Sequence, residues 1–369
     1  MDKIRVLQFP ISANNGVKTY ALNNWKHLNK SKFACDFVIV RSNLGFEKEF
    51  ANEGAGVKYL LSSPEKEKEQ YIENVRNLLY GNYDVIHLHT SYWKRLLIEE
   101  IAMECKIPKV IVHAHNTQID IVDEMKRKEA GEIHMRLREQ FDRRLATDFC
   151  ACSEEAAKWI FGNKIPRDII RILRNAIDIE KYLFNESVRQ QYRQLLGVGN
   201  NYVIGHIGRF SMQKNHDFLI EVFRVICKEI ENARLLLIGE GPLESRMREK
   251  VGKLNLQDKV LFLGQRDDVP QLLQAMDLFC LPSNFEGLGI ALIEAQASGL
   301  PCIVSDKVPR EAIICNHTIA LPLAVESWIR EICEMRKVNF RVDMYEAITQ
   351  AGYNIKCEIK KIDKLYSNF

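Results

Sequence analysis

At 369 residues the chain is longer than one typical domain and suits two. Its 46% hydrophobic and 27% charged residues are those of a soluble globular protein with sizeable cores. A net charge of +3 without a long basic run argues against a nucleic-acid binder, though not against peripheral contact with an anionic membrane.

Asp2, Lys3 and Arg5 precede only a strand-length apolar run, which speaks against a signal peptide. No apolar stretch is long enough to span a bilayer. Ten cysteines, scattered except for Cys150 and Cys152, show no Cys-x-x-Cys, so neither a disulfide scaffold nor a structural zinc site is indicated. A cytoplasmic protein with reduced thiols is expected.

In chain order, strand-length apolar runs fall at Ile4–Phe9, Phe37–Val40, Asp84–His89, Val110–Val112 and Phe149–Cys152. After a break they resume at Val203–Ile207, Leu235–Ile238, Val260–Leu263, Leu278–Leu281 and Cys302–Val304. Runs apolar on both faces, alternating with amphipathic segments, indicate parallel sheets covered by helices. Between Asn175 and Tyr202 the pattern pauses. Glu180–Gln194 is charged and helical in composition, and Gly197-Val198-Gly199-Asn200-Asn201 interrupts it. A hinge between two doubly wound α/β domains is placed there. From Asn354 to Tyr366, apolar Ile355, Ile359, Ile362 and Leu365 recur at helical spacing, giving a closing helix with no strand after it.

Candidate chemistry begins at Asn14-Asn15-Gly16-Val17, half of a phosphate-cradling turn between the first strand and its helix. His87-Leu88-His89 and His113-Ala114-His115 each end a strand, and alternate strand residues face one way. Four imidazoles invite a metal reading, but no carboxylate ligand stands near in the sequence. A single cleft-facing residue, His115, bonded to a substrate hydroxyl or phosphate is the preferred reading. Ser153 reads as the cap of a helix Glu154–Phe161. Leu173-Arg174-Asn175-Ala176-Ile177-Asp178 reads as a structured hinge.

In the second half, Gly208-Arg209-Phe210 ends a strand and a helix starts near Asn215. Arg209 and Lys214 therefore reach the carboxyl end of the sheet, where open α/β sheets bind ligands. Two cations there could stabilise a departing diphosphate. Gly264-Gln265-Arg266-Asp267-Asp268-Val269 follows another strand. Its aspartates read as helix caps, while Arg266 and the loop backbone could meet a base. The most informative run is Pro282 to Ala295. Glu286 and Glu294, with seven residues between them, bracket Gly287-Leu288-Gly289. A strand, a glycine turn and a helix N-terminus make an anion site, because the first helical N–H groups have no intrahelical partner. A carboxylate on either side suits a ligand with phosphates in the middle and hydroxyls at both ends, such as a nucleotide-sugar.

These residues together resemble the retaining glycosyltransferases of family four, also called glycosyl transferases group 1. The similarity rests on Glu286 and Glu294, Gly208-Arg209 with Lys214-Asn215, Ser153-Glu154, Asn175 with Asp178, and His115. The resemblance covers essentially the whole chain and is most specific in the second half. It is closest in style to enzymes of bacterial capsular and exopolysaccharide synthesis. It implies a GT-B fold of two Rossmann-like domains facing a cleft. The N-terminal, acceptor-side domain would span 1–176 plus a returning helix at 352–369, and the nucleotide-sugar domain 177–351.

The resemblance also implies roles. Glu294 would hold the ribose and Glu286 the donor sugar. The backbone of Gly287, Leu288 and Gly289 would meet the diphosphate and sugar. Arg209 and Lys214 would stabilise the leaving nucleoside diphosphate, and His115 would face the transferred sugar. No divalent metal or other cofactor is expected. Asn15 and Ala176 stand where relatives often carry glycine, and Lys307-Val308-Pro309-Arg310-Glu311 lacks glycines common after Asp306.

The expected activity is transfer of a sugar from a UDP-sugar to a hydroxyl of a glycan or lipid-linked acceptor, at the inner face of the plasma membrane or in the cytoplasm. A nucleotide-sugar epimerase, a non-catalytic scaffold subunit and a metal hydrolase are the alternatives.

Overall fold

A computed structural model describes residues 2–11, 16–40, 47–337 and 341–369. The chain divides into two compact units, Met1–Ile119 with Asp123–Ala176 and Ile355–Phe369, and Asp120–Val122 with Ile177–Asn354. Relative to the expected boundaries, Asp120–Val122 joins the second unit and the returning segment starts at Ile355 instead of residue 352.

The first unit contains β1 (Ile4–Ile11), β2 (Phe33–Ile39), β3 (Gly56–Tyr59), β4 (Val85–Thr90), β5 (Lys109–Ala114), β6 (Asp148–Ala151) and β7 (Ile170–Ile172). Their order across the sheet is β3-β2-β1-β4-β5-β6-β7, all neighbours parallel. The second unit contains β8 (Tyr202–Ile207), β9 (Ala233–Ile238), β10 (Val260–Gly264), β11 (Leu278–Leu281), β12 (Cys302–Ser305) and β13 (Thr318–Leu321). These run β10-β9-β8-β11-β12-β13, again parallel.

The central strands are buried end to end, as in Lys109–Ala114 and Leu278–Leu281, because helices cover both faces. The edge strands β3, β7 and β13 escaped the sequence reading for the converse reason. Gly56–Tyr59 is half open to solvent and β7 has three residues, so neither presents an apolar run.

Each sheet has one place where successive strands are added on opposite sides. It lies between β1 and β4 in the first unit and between β8 and β11 in the second. Loops leaving the carboxyl ends of these strands diverge and open a crevice.

The last helix, Ile355–Ser367, buries Ile362, Leu365 and Tyr366 in the first unit's core beside Val6, Tyr20, Trp25 and Phe33. Its Glu358 carboxylate accepts from the Arg174 backbone N–H at 3.0 Å. Ser153 caps the helix Glu154–Phe161, its Oγ accepting from the Ala156 N–H at 3.1 Å. Asp268 does not cap. It precedes the helix Val269–Ala275 without a side-chain cap bond. Its carboxylate is occupied by Arg266, at 2.7 and 2.5 Å, and by the Tyr192 hydroxyl at 2.9 Å. An ion pair two residues away outcompetes a neutral N–H.

Candidate active site in the second unit

The β8 loop and the β11 loop meet at the switch point of the second sheet. Lys214 Nζ lies 2.5 Å from Glu286 Oε1, which also accepts from Ser283 Oγ at 2.6 Å. Gln213 Nε2 donates to Glu286 Oε2 at 3.1 Å. Glu286 is buried and Lys214 nearly so. The backbones are stitched as well: Asn284 N–H donates to the Gln213 carbonyl at 2.8 Å, and Asn284 Nδ2 to the Met212 carbonyl at 2.7 Å. Gln213 N–H in turn donates to Asp120 Oδ1 at 3.1 Å.

Two glycines shape this site. At Gly208 a Cβ would stand 2.8 Å from Lys214 Cγ, so the bare backbone is what lets the lysine stem lie across it. Gly289 caps the helix Ile290–Ala297 at φ +88, a left-handed conformation that glycine adopts without penalty. The strand-turn-helix read from Leu278 to Ala297 is thus present. Phe285 to Gly289 is buried throughout the turn.

Glu294 sits on that helix, 8% exposed, and accepts from the Tyr182 hydroxyl at 2.8 Å. Burial pushes its carboxyl up to about 7, against the opposing pull of Tyr182 and Lys214. Arg209 is exposed and makes no side-chain hydrogen bond or ion pair among the described residues. In the same loop Ser211 Oγ is buried without a partner among the described residues. His216 stacks on the Phe210 ring at 3.9 Å and holds the loop down, while burial keeps its imidazole neutral.

The structure brings together Glu286, Lys214, Gly287, Leu288 and Gly289. It engages Arg266 with Asp268 instead of leaving it open. A second cleft, at the amino-terminal edge of the same sheet, is lined by Arg189, Arg193, Asn201 and Asp277. Arg189 and Arg193 are spent on Asp277 and on the carbonyls of Gly199, Gln274, Ala275 and Met276, a structural use of both.

Profiles described as "Glycosyl transferases group 1" and "Glycosyltransferase Family 4" match residues 188–350 and 14–181. The chain belongs to this glycosyltransferase family. It is 29% identical to EpsF of Bacillus subtilis, named as a glycosyltransferase, over 98% of this chain and 96% of that one. It is 26% identical to the UDP-Gal:alpha-D-GlcNAc-diphosphoundecaprenol alpha-1,3-galactosyltransferase of Escherichia coli, over 82% and 79% of the two chains. Among solved structures, Anabaena HepE in complex with UDP and glucose aligns with a TM-score of 0.78 over the whole of both chains, at 18% identity. The fold is that of the GT-B glycosyltransferases.

The remaining candidates of this glycosyltransferase lie in its first unit. Gly16 opens the helix Gly16–His27 and is exposed, with nothing within 4 Å of an added Cβ, so space does not demand a glycine. Asn14 and Asn15 lie outside the described residues. His115 follows β5 directly, its backbone N–H donating to the Thr90 carbonyl at 2.9 Å.

His115 belongs to a cluster the sequence only hinted at. His87 and His89 from β4, His113 from β5 and His115 stack against one another, with Gln8 from β1 and Tyr366 from the last helix among them. Nitrogens of His87, His89 and His113 lie within 4.8 Å of one another, near enough to share a cation. Each of these rings is nevertheless already hydrogen-bonded within the cluster.

Sequence reasoning missed Ser283, Gln213, Tyr182, Gln8 and Tyr366. Ser283 and Gln213 adjoin motif residues and could have been inferred from them. Tyr182 and Tyr366 could not, since they arrive from 112 positions before Glu294 and 279 after His87.

Among the described residues, no helix is long and apolar enough to cross a membrane.

Proposed function

We propose that this enzyme transfers a sugar from a nucleoside diphosphate sugar, a UDP-sugar, to a hydroxyl of a lipid-linked glycan in cell-surface polysaccharide synthesis, with retention of anomeric configuration. The observation that carries this reading is the Lys214–Glu286 pair at the switch point, with Arg209 exposed and unpaired among the described residues in the same loop and the N-terminus of Ile290–Ala297 after the Glu286 turn. An ammonium has three N–H donors. One holds Glu286, and the others remain for phosphate oxygens. Arg209 adds a second cation, so charge building on the departing diphosphate meets preorganised donors without a metal.

Glu286 would grip sugar hydroxyls and Glu294 the ribose. The relatives' names support the donor and acceptor classes: one is a UDP-galactose-dependent transferase acting on a diphosphoundecaprenol glycan. Localisation at the inner face of the plasma membrane follows from that acceptor.

The test is thermal denaturation with UDP, GDP and their common sugars, followed by transfer to a lipid-diphosphate saccharide. A UDP-sugar should raise the melting temperature, since it binds only the native state. Absence of stabilisation by every nucleotide tried, or turnover of donor to an epimer without acceptor, would refute the proposal.

A further inference from the structure

Buried at the switch point of the first sheet, the histidine cluster forms a chain of hydrogen bonds whose direction can be read. Register places Gln8 beside His87 and His89 beside His113, so these side chains share one face. Burial drives every one of the four imidazoles well below its ordinary range, His87 and His115 to about 3. A neutral imidazole carries one N–H and one bare nitrogen.

The Gln8 amide sets the polarity. Its NH2 group donates to the Tyr366 oxygen at 2.9 Å, which leaves its carbonyl oxygen facing His89 Nε2 at 2.8 Å. A carbonyl only accepts, so His89 carries its proton on Nε2 and is bare at Nδ1. That bare nitrogen lies 2.8 Å from His115 Nε2, which must therefore be the N–H. His115 Nδ1 is left as a lone pair, buried and without a partner among the described residues.

The second arm runs the same way. Tyr366, having accepted from Gln8, donates to His87 Nδ1 at 2.6 Å, and His87 Nε2–H donates to His113 Nδ1 at 3.0 Å. The His113 ring stands perpendicular to Tyr20, centroids 5.0 Å apart. Its remaining N–H suits an aromatic neighbour better than a second lone pair would.

We infer that Gln8 and His89 are positioning residues that hold His115 in its Nε2–H tautomer, so that its Nδ1 receives a hydrogen bond from a substrate hydroxyl. The last clause rests on the reading of this enzyme as a sugar transferase; the tautomer assignment does not. The sequence left hydroxyl and phosphate both open as partners of this residue. A neutral acceptor selects the hydroxyl, because a phosphate oxygen offers no proton at neutral pH.

The experiment is long-range proton–nitrogen NMR of the full chain labelled in its histidines. Between pH 6 and 8 all four rings should be protonated at Nε2 and bare at Nδ1. Gln8→Met should change the tautomers of His89 and His115, while His87 and His113 keep theirs and only shift as Tyr366 loses the bond from Gln8. Tyr366→Phe should do the reverse. Transfer by Gln8→Met should fall about tenfold, the loss of roughly one hydrogen bond.

A proton on His115 Nδ1, a charged ring, or stoichiometric metal on these nitrogens in the purified protein would overturn the inference. The wild-type spectrum decides it even if Gln8→Met fails to fold. Full activity in His115→Ala, with the tautomers as stated, would instead refute only the role assigned to His115.

Discussion

Glu294 shows what a buried carboxylate costs a fold. Its pKa is raised from 4.5 to about 7 by burial, so the native state holds its proton more tightly than the unfolded chain does. The contribution to stability is therefore complete below pH 4.5 and is lost as pH rises through 7. The loss is on the order of 3 kcal/mol. Glu294→Gln cannot ionise and keeps an oxygen for Tyr182. Denaturant midpoints should favour this variant increasingly from pH 5 to pH 8; a constant difference across that range would contradict the assignment.

Lys214 and Glu286 depend on each other in a different way. Removing the lysine strands a buried carboxylate at a cost of about 3 kcal/mol. Lys214→Ala should therefore lose both stability and transfer. Adding Glu286→Gln should restore most of the stability and none of the activity. Recovery of activity in the double variant would show that the pair is structural.

At the scale of elements, the β8 loop is positioned by glycines with different neighbours. A methyl group at Gly208 meets the flexible stem of Lys214 at 2.8 Å. A methyl group at Gly239, where φ is +133, meets the Gly208 carbonyl oxygen at 2.2 Å. Gly208→Ala should therefore fold nearly as well as the wild type yet slow transfer about tenfold by displacing the ammonium. Gly239→Ala should instead cost at least about 2 kcal/mol, because backbone must move. Equal melting temperatures for the two variants would contradict the close packing of these loops. The helix Ile290–Ala297 follows the same logic from the other side of the crevice. Six of its eight residues are apolar, so it is buried on every side, and only Gly289 in the left-handed region lets it start directly beneath the Glu286 turn.

For the molecule as a whole, the last helix completes the first unit. Ile362, Leu365 and Tyr366 are each worth about 1.5–3 kcal/mol of burial, a large share of a domain's net stability. A chain ending at Asn354 should lose hydrogen-exchange protection across the first unit's strands and retain it from Ile177 to Asn354. Preserved protection around His87 and His113 in the truncated chain would mean that the helix is an accessory.

Periodicity alone determined the two parallel sheets, since a strand covered on both faces must be apolar along its whole length. It also determined the helix that follows Gly289. The Glu286 and Glu294 motif was legible because a glycine turn between a buried strand and a helix leaves few conformations open. Edge strands such as Gly56–Tyr59 stayed hidden, because half-exposed residues carry no apolar signature. So did the partners of the key groups. Tyr182 against Glu294, Gln213 against Glu286, and Gln8 with Tyr366 among the histidines are meetings that the folded chain makes across tens to hundreds of residues. Local sequence sets which groups reach the end of a strand. Only tertiary packing decides which proton each one holds and which oxygen it faces, because burial and the neighbour at 3 Å set those terms.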